Sequence, residues 1–188
     1  FKRTKQNIET QEKKDLGEGH WIKCPNCDEI MHKKMWENNF YLCTKCDYHF
    51  RIGSEEYFKI LFDEGEYKEL DRKVTSKDPL GFVDTKKYKD RLNDTIKQTG
   101  LFDAVRTAIG NLNSKECVIC AMDFKFIGGS MGSVVGEKIA RGIQRAIKEK
   151  CPFIIISKSG GARMMEAAIS LMQLAKTSAW IAKLSENG

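Results

Sequence analysis

The chain has 188 residues, 41% hydrophobic and 31% charged: one ordinary domain plus a small satellite, of soluble globular rather than disordered composition. No segment approaches the roughly 18 consecutive apolar residues of a membrane span, and the polar start FKRTKQNIETQEKK lacks a secretory signal's apolar core, so the chain reads as intracellular. The formal charge of +6 is too small to select nucleic acid over any other anionic partner.

Residues 1–20 show no apolar periodicity and read as a mobile basic arm. Residues 21–51 hold two Cys-x-x-Cys pairs among short aromatic-bearing segments such as NNFYLC, which suggests a small β module. The pattern then turns helical. In SEEYFKILFDEG, Tyr57, Ile60 and Leu61 share a face, with Ser54 as N-cap and Gly65 as the stop. A polar connector leads to DTKKYKDRLNDTIKQTG, where Tyr88, Leu92 and Ile96 recur at helical spacing before a terminating Gly100. Beyond it, FDAVRTAIGNL and ECVICAMDF read as a strand pair about Asn113-Ser114-Lys115.

SVVGEKIARGIQRAIKEK is a helix with Val134, Ile139, Ile143 and Ile147 inward, broken by Pro152. Its cations Lys138, Arg141, Arg145, Lys148 and Lys150 read mostly as a solvated face. FIIIS is then a buried strand, SGGAR a loop, and Met164 to Leu184 a long helix. A strand pair followed by helix, strand, glycine loop and helix describes a layered α/β domain over residues 52–188.

The cysteines divide by spacing. Cys24-Pro-Asn-Cys27 and Cys43-Thr-Lys-Cys46, separated by 15 residues, fit the pattern of a structural zinc site with four thiolates, which would lower the net charge to about +4. Asp28 and Asp47 follow each second cysteine, where the chain must turn back through a left-handed conformation that Asp tolerates. Four thiolates leave His20, His32 and His49 no vacancy. Cys117 and Cys120 lie three apart on a strand, so they point to opposite faces and read as core, as does Cys151. A closed site does no chemistry itself; its default role is to hold a small fold together or to present a surface, and nucleic-acid binding is the usual functional reading of such a ribbon.

Two glycine stretches lie in the α/β part, FIGGSMGSVVGEKI (126–139) and SGGARM (159–164). Neither the phosphate-loop pattern nor G-x-G-x-x-G occurs. Loops without Cβ atoms before helices nonetheless let unpaired amides approach a ligand, which suits a carbonyl oxygen that becomes negative during reaction. A tight strand-to-helix turn with no ligand is the plain alternative.

CPNC, CTKC, GSMGSVVGEKI, SGGARM.E and SLMQLAKTSA, in this order, resemble the β-subunit family of the bacterial and plastid acetyl-CoA carboxylase carboxyltransferase from Cys24 to about Ala182. Met165 departs from the glutamine usual in that family. The resemblance implies a crotonase-like (ClpP/crotonase) fold of ββα units behind a zinc ribbon holding one structural zinc. It implies transfer of the carboxyl group from N-carboxybiotin, on biotin carboxyl carrier protein, to acetyl-CoA, forming malonyl-CoA. The partner is the α subunit, in an assembly of two α and two β chains, cytoplasmic or, in a plant or alga, in the plastid stroma.

On this resemblance the amides of Gly160, Gly161 and Ala162 bind the thioester, and Gly129, Ser130 and Gly132 support the acyl-CoA pocket. Arg163 meets CoA phosphate there or braces the loop. The family's chain continues to a Thr-Thr-Gly-Gly loop that this sequence lacks, so residues 1–188 alone are expected to be inactive, and the apolar helix after the loop to need covering partners. The competing reading is a zinc-ribbon nucleic-acid-binding protein on an inert α/β scaffold. A crotonase-type hydratase acting alone conflicts with the lack of a catalytic acid pair near the loops.

Overall fold

A computed structural model describes residues 20–187, so the basic arm lies, His20 apart, outside the described residues. The chain divides into two compact units, one ending at Arg51 and one beginning at Ile52. In the first, β1 (Trp21–Lys23) pairs antiparallel with β2 (Ile30–His32), followed by the short α1 (Lys33–Asn38) and a bridge between Leu42 and His49. Its core is small: Cys24, Met31 and Cys43 are buried, and Trp36 meets Tyr41 and Phe50 edge-on at 4.7 and 5.3 Å.

The second unit is built on a four-stranded sheet of β3 (Tyr67–Leu70), β4 (Val105–Leu112), β5 (Lys115–Met122) and β6 (Phe153–Ile156), in that spatial order. The first three strands are antiparallel, and β6 lies parallel to β5. The β4–β5 turn is set by Asn113 and Ser114, both at positive φ (51° and 62°), whose amides donate to the Asp63 carboxylate at 2.8 and 2.7 Å.

Alternation along β5 gives the sheet two buried faces. Cys117, Ile119 and Ala121 pack with Phe58 and Phe62, from α2 (Ser54–Leu61) and the residue closing it. Cys120 and Met122 face α3 (Tyr88–Thr99) and α4 (Ser133–Glu149), meeting Tyr88, Leu92, Val135, Ile139 and Ile143. The two cysteines of this strand thus enter different clusters, as expected. The final helix, α5 (Ala167–Glu186), lies against α4 where Gly136 is so close to Gln173 that a Cβ would come 2.2 Å from its Oε1. The layered α/β arrangement matches the sequence pattern, but the strand expected to be buried is not: β6 lies at the sheet edge, half-buried, with Ile155 exposed.

Several local expectations are corrected. The N-cap of α2 is Gly53 rather than Ser54: its amide donates to Glu56 Oε2 at 2.8 Å, while the Ser54 amide donates to Asp123 Oδ1. The buried anchor of α2 is Phe58, with Tyr57, Ile60 and Leu61 only half-buried, and the helix ends at Leu61; Gly65 closes a separate 3₁₀ turn. The polar connector contains β3. Lys150, at φ 54°, ends α4 before Pro152 is reached. Lys138 is buried and donates to the Val105 carbonyl at 3.3 Å, and burial lowers its pKa, so it does not belong to the solvated face. A 3₁₀ turn at Met164–Glu166 precedes α5, which begins at Ala167, and Leu171, Met172, Leu174 and Ile181 are exposed along it.

Candidate functional site

Two constellations carry chemistry, one in each unit. In the first, the four expected cysteine sulfurs lie within 4.8 Å of one another. Cys24 and Cys46 are 3.7 Å apart and Cys27 and Cys43 3.6 Å. A tetrahedral zinc with Zn–S of about 2.3 Å has S···S edges of about 3.8 Å, so the residues present fit the ion. The two knuckles repeat one geometry. The Cys24 and Cys43 amides donate to the Glu29 and Tyr48 carbonyls, and Asp28 and Asp47 sit at φ 58° and 55°, the left-handed turn expected of them. The amides of Asn26 and Lys45 face Cys24 and Cys43 sulfur at 3.4 and 3.5 Å. The Asn26 side-chain amide donates to Cys46 Sγ at 3.4 Å and lowers the pKa of that thiol, which favours its thiolate, the form a metal needs.

The second constellation sits where β5 and β6 end. In parallel pairs the crevice beyond the carboxyl ends is where ligands bind. The segments after the two strands extend the pairing: the Gly160 amide donates to Gly128 O at 2.9 Å, Met131 N to Gly161 O at 2.8 Å, and Arg163 N to Met131 O at 2.9 Å. Both glycine stretches therefore belong to one interlocked structure, and Gly129 is so close to the second that a Cβ there would lie 2.3 Å from Lys158 O.

The three thioester candidates differ in what their amides do. That of Gly160 is taken by Gly128 O, and that of Gly161 by Ser159 Oγ at 3.1 Å. Ala162 is exposed, and among the described residues its amide has no acceptor. Gly161 holds φ 122°, a region that side-chain-bearing residues rarely enter, and this dihedral aims the Ala162 amide.

Arg163 braces the loop and does not face solvent: its side chain is 0% exposed. Its Nε donates to Ser130 Oγ (3.1 Å), Nη1 to Tyr88 Oη (3.1 Å) and Asp103 Oδ2 (3.0 Å), and Nη2 to Asp103 Oδ1 (2.6 Å) and Ser130 O (2.9 Å). Gly132 leaves room for it; a Cβ there would come 2.8 Å from Nη1. Burial disfavours the guanidinium charge, but the Asp103 carboxylate outweighs it and the pKa rises above the ordinary arginine value.

Glu166 completes the cluster. Its Oε1 accepts from Tyr88 Oη at 2.7 Å, and its Oε2 from the Ser133 amide at 2.5 Å, so the positive end of α4 is answered by this carboxylate. Burial works against its charge, yet the Ser133 amide, the Tyr88 hydroxyl and Arg163 together hold its pKa below the usual glutamate value. A depressed folded pKa contributes stability that is complete above the unfolded value of about 4.3 and is lost as pH falls through the lower folded value. Glu166→Gln is therefore expected to melt below the parent at pH 7, with the gap closing below about pH 4. A gap constant across that range, measured by thermal melts, would contradict this linkage.

Sequence reasoning placed Gly129, Ser130, Gly132, Gly160, Gly161, Ala162 and Arg163 in one site, and the structure brings them together. It missed Tyr88 as more than core, and Asp103 and Glu166 altogether. The available signal was an acidic residue directly before an apolar strand (Asp103) and another beside the glycine loop (Glu166).

Comparison with known proteins adds independent findings. The carboxyl transferase domain model matches residues 58–187, and the acetyl-CoA carboxylase zinc finger domain model residues 21–46. The acetyl-coenzyme A carboxylase carboxyl transferase subunit beta of Christiangramia forsetii is 59% identical over 99% of this chain and 66% of its own length. The subunit of the same name from Prosthecochloris aestuarii is 53% identical over 100% of this chain and 67% of its own. The chain thus spans about two thirds of the length of the curated relatives it matches. A transcarboxylase 12S chain, crystallised with hydrolysed methylmalonyl-coenzyme A, shares the fold at 24% identity and a TM-score of 0.59, over 72% of this chain and 24% of its own.

Proposed function

The chain belongs to the family of acetyl-CoA carboxylase carboxyl transferase β subunits, and from that premise we propose that it supplies the acyl-CoA side of a carboxyl transfer that forms malonyl-CoA. Family membership supports this reading over a nucleic-acid-binding ribbon on an inert scaffold. The observation that carries it is the Ala162 amide, which has no acceptor among the described residues and belongs to an exposed residue on a loop held by the buried Arg163. As the methyl proton leaves acetyl-CoA, charge moves onto the thioester oxygen, and a donor already aimed there stabilises the enolate without reorganising. Carboxybiotin on the carrier protein would supply the carboxyl group as CO2, and the biotin ureido anion left behind would take the methyl proton, so that the enolate held by this chain bonds to the CO2.

This chain's own part is to hold the thioester, orient it, and donate to its oxygen through Ala162. Gly160 and Gly161 serve indirectly, one anchoring the loop to Gly128, the other setting its direction. The zinc, held by Cys24, Cys27, Cys43 and Cys46, is structural, since four protein ligands leave no open position. The α subunit and the carrier protein are the partners, and the cytoplasm the compartment, that this family reading brings with it. Among the described residues no helix is long and apolar enough to cross a membrane.

The full-length chain assembled with its α subunit is expected to bind CoA and to form malonyl-CoA from acetyl-CoA and carboxybiotin. Calorimetric titration with CoA and a coupled malonyl-CoA assay check the two halves. An assembly that binds no CoA would overturn the proposal.

A further inference from the structure

We propose that Asp103, Tyr88 and Glu166 are positioning residues for carboxyl transfer, acting through Arg163 to hold the 157–163 loop against the 127–132 segment and so to aim the Ala162 amide. The inference rests on the functional reading above.

All five guanidinium N–H groups of Arg163 find acceptors, so its rotation is fixed about every axis. Two of those acceptors belong to Ser130, in the first glycine stretch, while the Arg163 amide itself donates to Met131 O. The side chain therefore bonds to one loop while its backbone belongs to the other. Asp103 answers the guanidinium with both carboxylate oxygens, and its Oδ1 also accepts the Ala104 amide at 2.7 Å, which ties it to the start of β4. Tyr88 stands between the charges, accepting from Arg163 and donating to Glu166. Glu166 then reaches the first amide of α4 and lies 3.6 Å from Arg163 Nη1.

Stability alone does not account for this arrangement. A buried ion cluster is commonly no more stabilising than apolar packing of the same volume, because desolvating three charges offsets their attraction. What directed donors add over apolar packing is orientation, and the loop they orient carries the one free amide of the three candidates. Tyr88, Arg163 and Glu166 are all fully buried, so none can touch substrate itself, and each acts through the loop.

The test uses the full-length chain assembled with its α subunit and the variants Asp103→Asn and Tyr88→Phe, which keep shape and remove respectively one charge and one hydroxyl. Turnover is expected to fall ~10²-fold, the effect of a donor displaced by about 1 Å. The dissociation constant for CoA and the number of CoA sites per assembly should stay within about two-fold of the parent, because CoA affinity does not depend on the aim of one amide. Arg163→Lys should not rescue, since an ammonium offers three donors and no planar fork. Amide exchange over residues 157–163 reads the clamp without any turnover and should quicken about ten-fold in Tyr88→Phe. Parent-like turnover and exchange in both variants, or a loss of turnover matched by an equal loss of CoA sites, would overturn the positioning role. If the parent assembly transfers no carboxyl group, the functional reading fails instead, and the exchange measurement still decides the clamp.

Discussion

Cys43→Ser is expected to release the zinc and unfold residues 21–50. Cys43 is 0% exposed, and its sulfur is 3.6 Å from that of Cys27, so the substitution removes one of four thiolates from the centre of the smaller unit. Little else would hold that unit. Its strands are three residues long, and its apolar contents amount to Met31, Trp36, Tyr41, Phe50 and a few half-buried neighbours. Modules below about 40 residues usually need a metal or disulfides, and apparent zinc binding energies of about 10–16 kcal/mol in small fingers are folding energy. Losing most of that leaves no folded alternative. Zinc per chain, with proteolysis and amide dispersion for residues 21–50, reads the outcome; Cys151→Ser, outside the cluster, should keep one zinc. A Cys43→Ser protein with full metal content would refute the assignment.

Gly161→Val is expected to cost carboxyl transfer about 10²–10³-fold in the full-length assembly, the usual effect of losing one well-aimed oxyanion donor. The cause is the backbone. At φ 122° a β-branched residue is a steric outlier, whereas an added Cβ would meet nothing within 4 Å, so the loop twists rather than collides. The twist moves the Ala162 amide and the Gly161 carbonyl, which accepts from Met131. Strain of about 1–3 kcal/mol is the expected stability cost, smaller than the catalytic one of about 2.7–4 kcal/mol. Malonyl-CoA formation and melting temperature, measured on the same preparation, separate the two. Turnover near that of the parent would make the double glycine a plain turn.

What the sequence shows depends on how local each feature is. The zinc ligands were legible because a knuckle is nearly self-contained: two cysteines, a turn and an Asp at positive φ within five residues. The glycine loops and the helices with regular spacing, such as Tyr88-Leu92-Ile96 before Gly100, were legible for the same reason. β3 was not, since YKEL alternates too briefly and carries two charges; it is a strand because β4 offers it a partner. Phe58 was hidden among Tyr57, Ile60 and Leu61 because α2 is apolar over more than one face. Lys138 looked like its neighbours Arg141 and Arg145, and only the approach of the β4 backbone buries it. Arg163 could be placed in the site with two roles open, CoA phosphate or loop brace, and the sequence could not choose between them, since Asp103 and Tyr88 lie 60 and 75 residues upstream.

That remoteness governs when the site can exist during folding. Every partner of the Arg163 side chain outside its own segment is at least 33 residues away, so each bond closes a long loop and forms only after the chain has paid most of its ordering entropy. The β4–β5 hairpin, by contrast, closes over a two-residue turn and can form early. A chain leaving the ribosome from its N-terminus therefore completes its sheet's hairpin well before Arg163 and Glu166 emerge. Until they do, the segment after β5 has nothing to lock against, and α4 lacks the carboxylate at its first turn. The 157–163 loop is thus among the last features to acquire its shape, and a partly folded or still-growing chain lacks the site proposed for acyl-CoA.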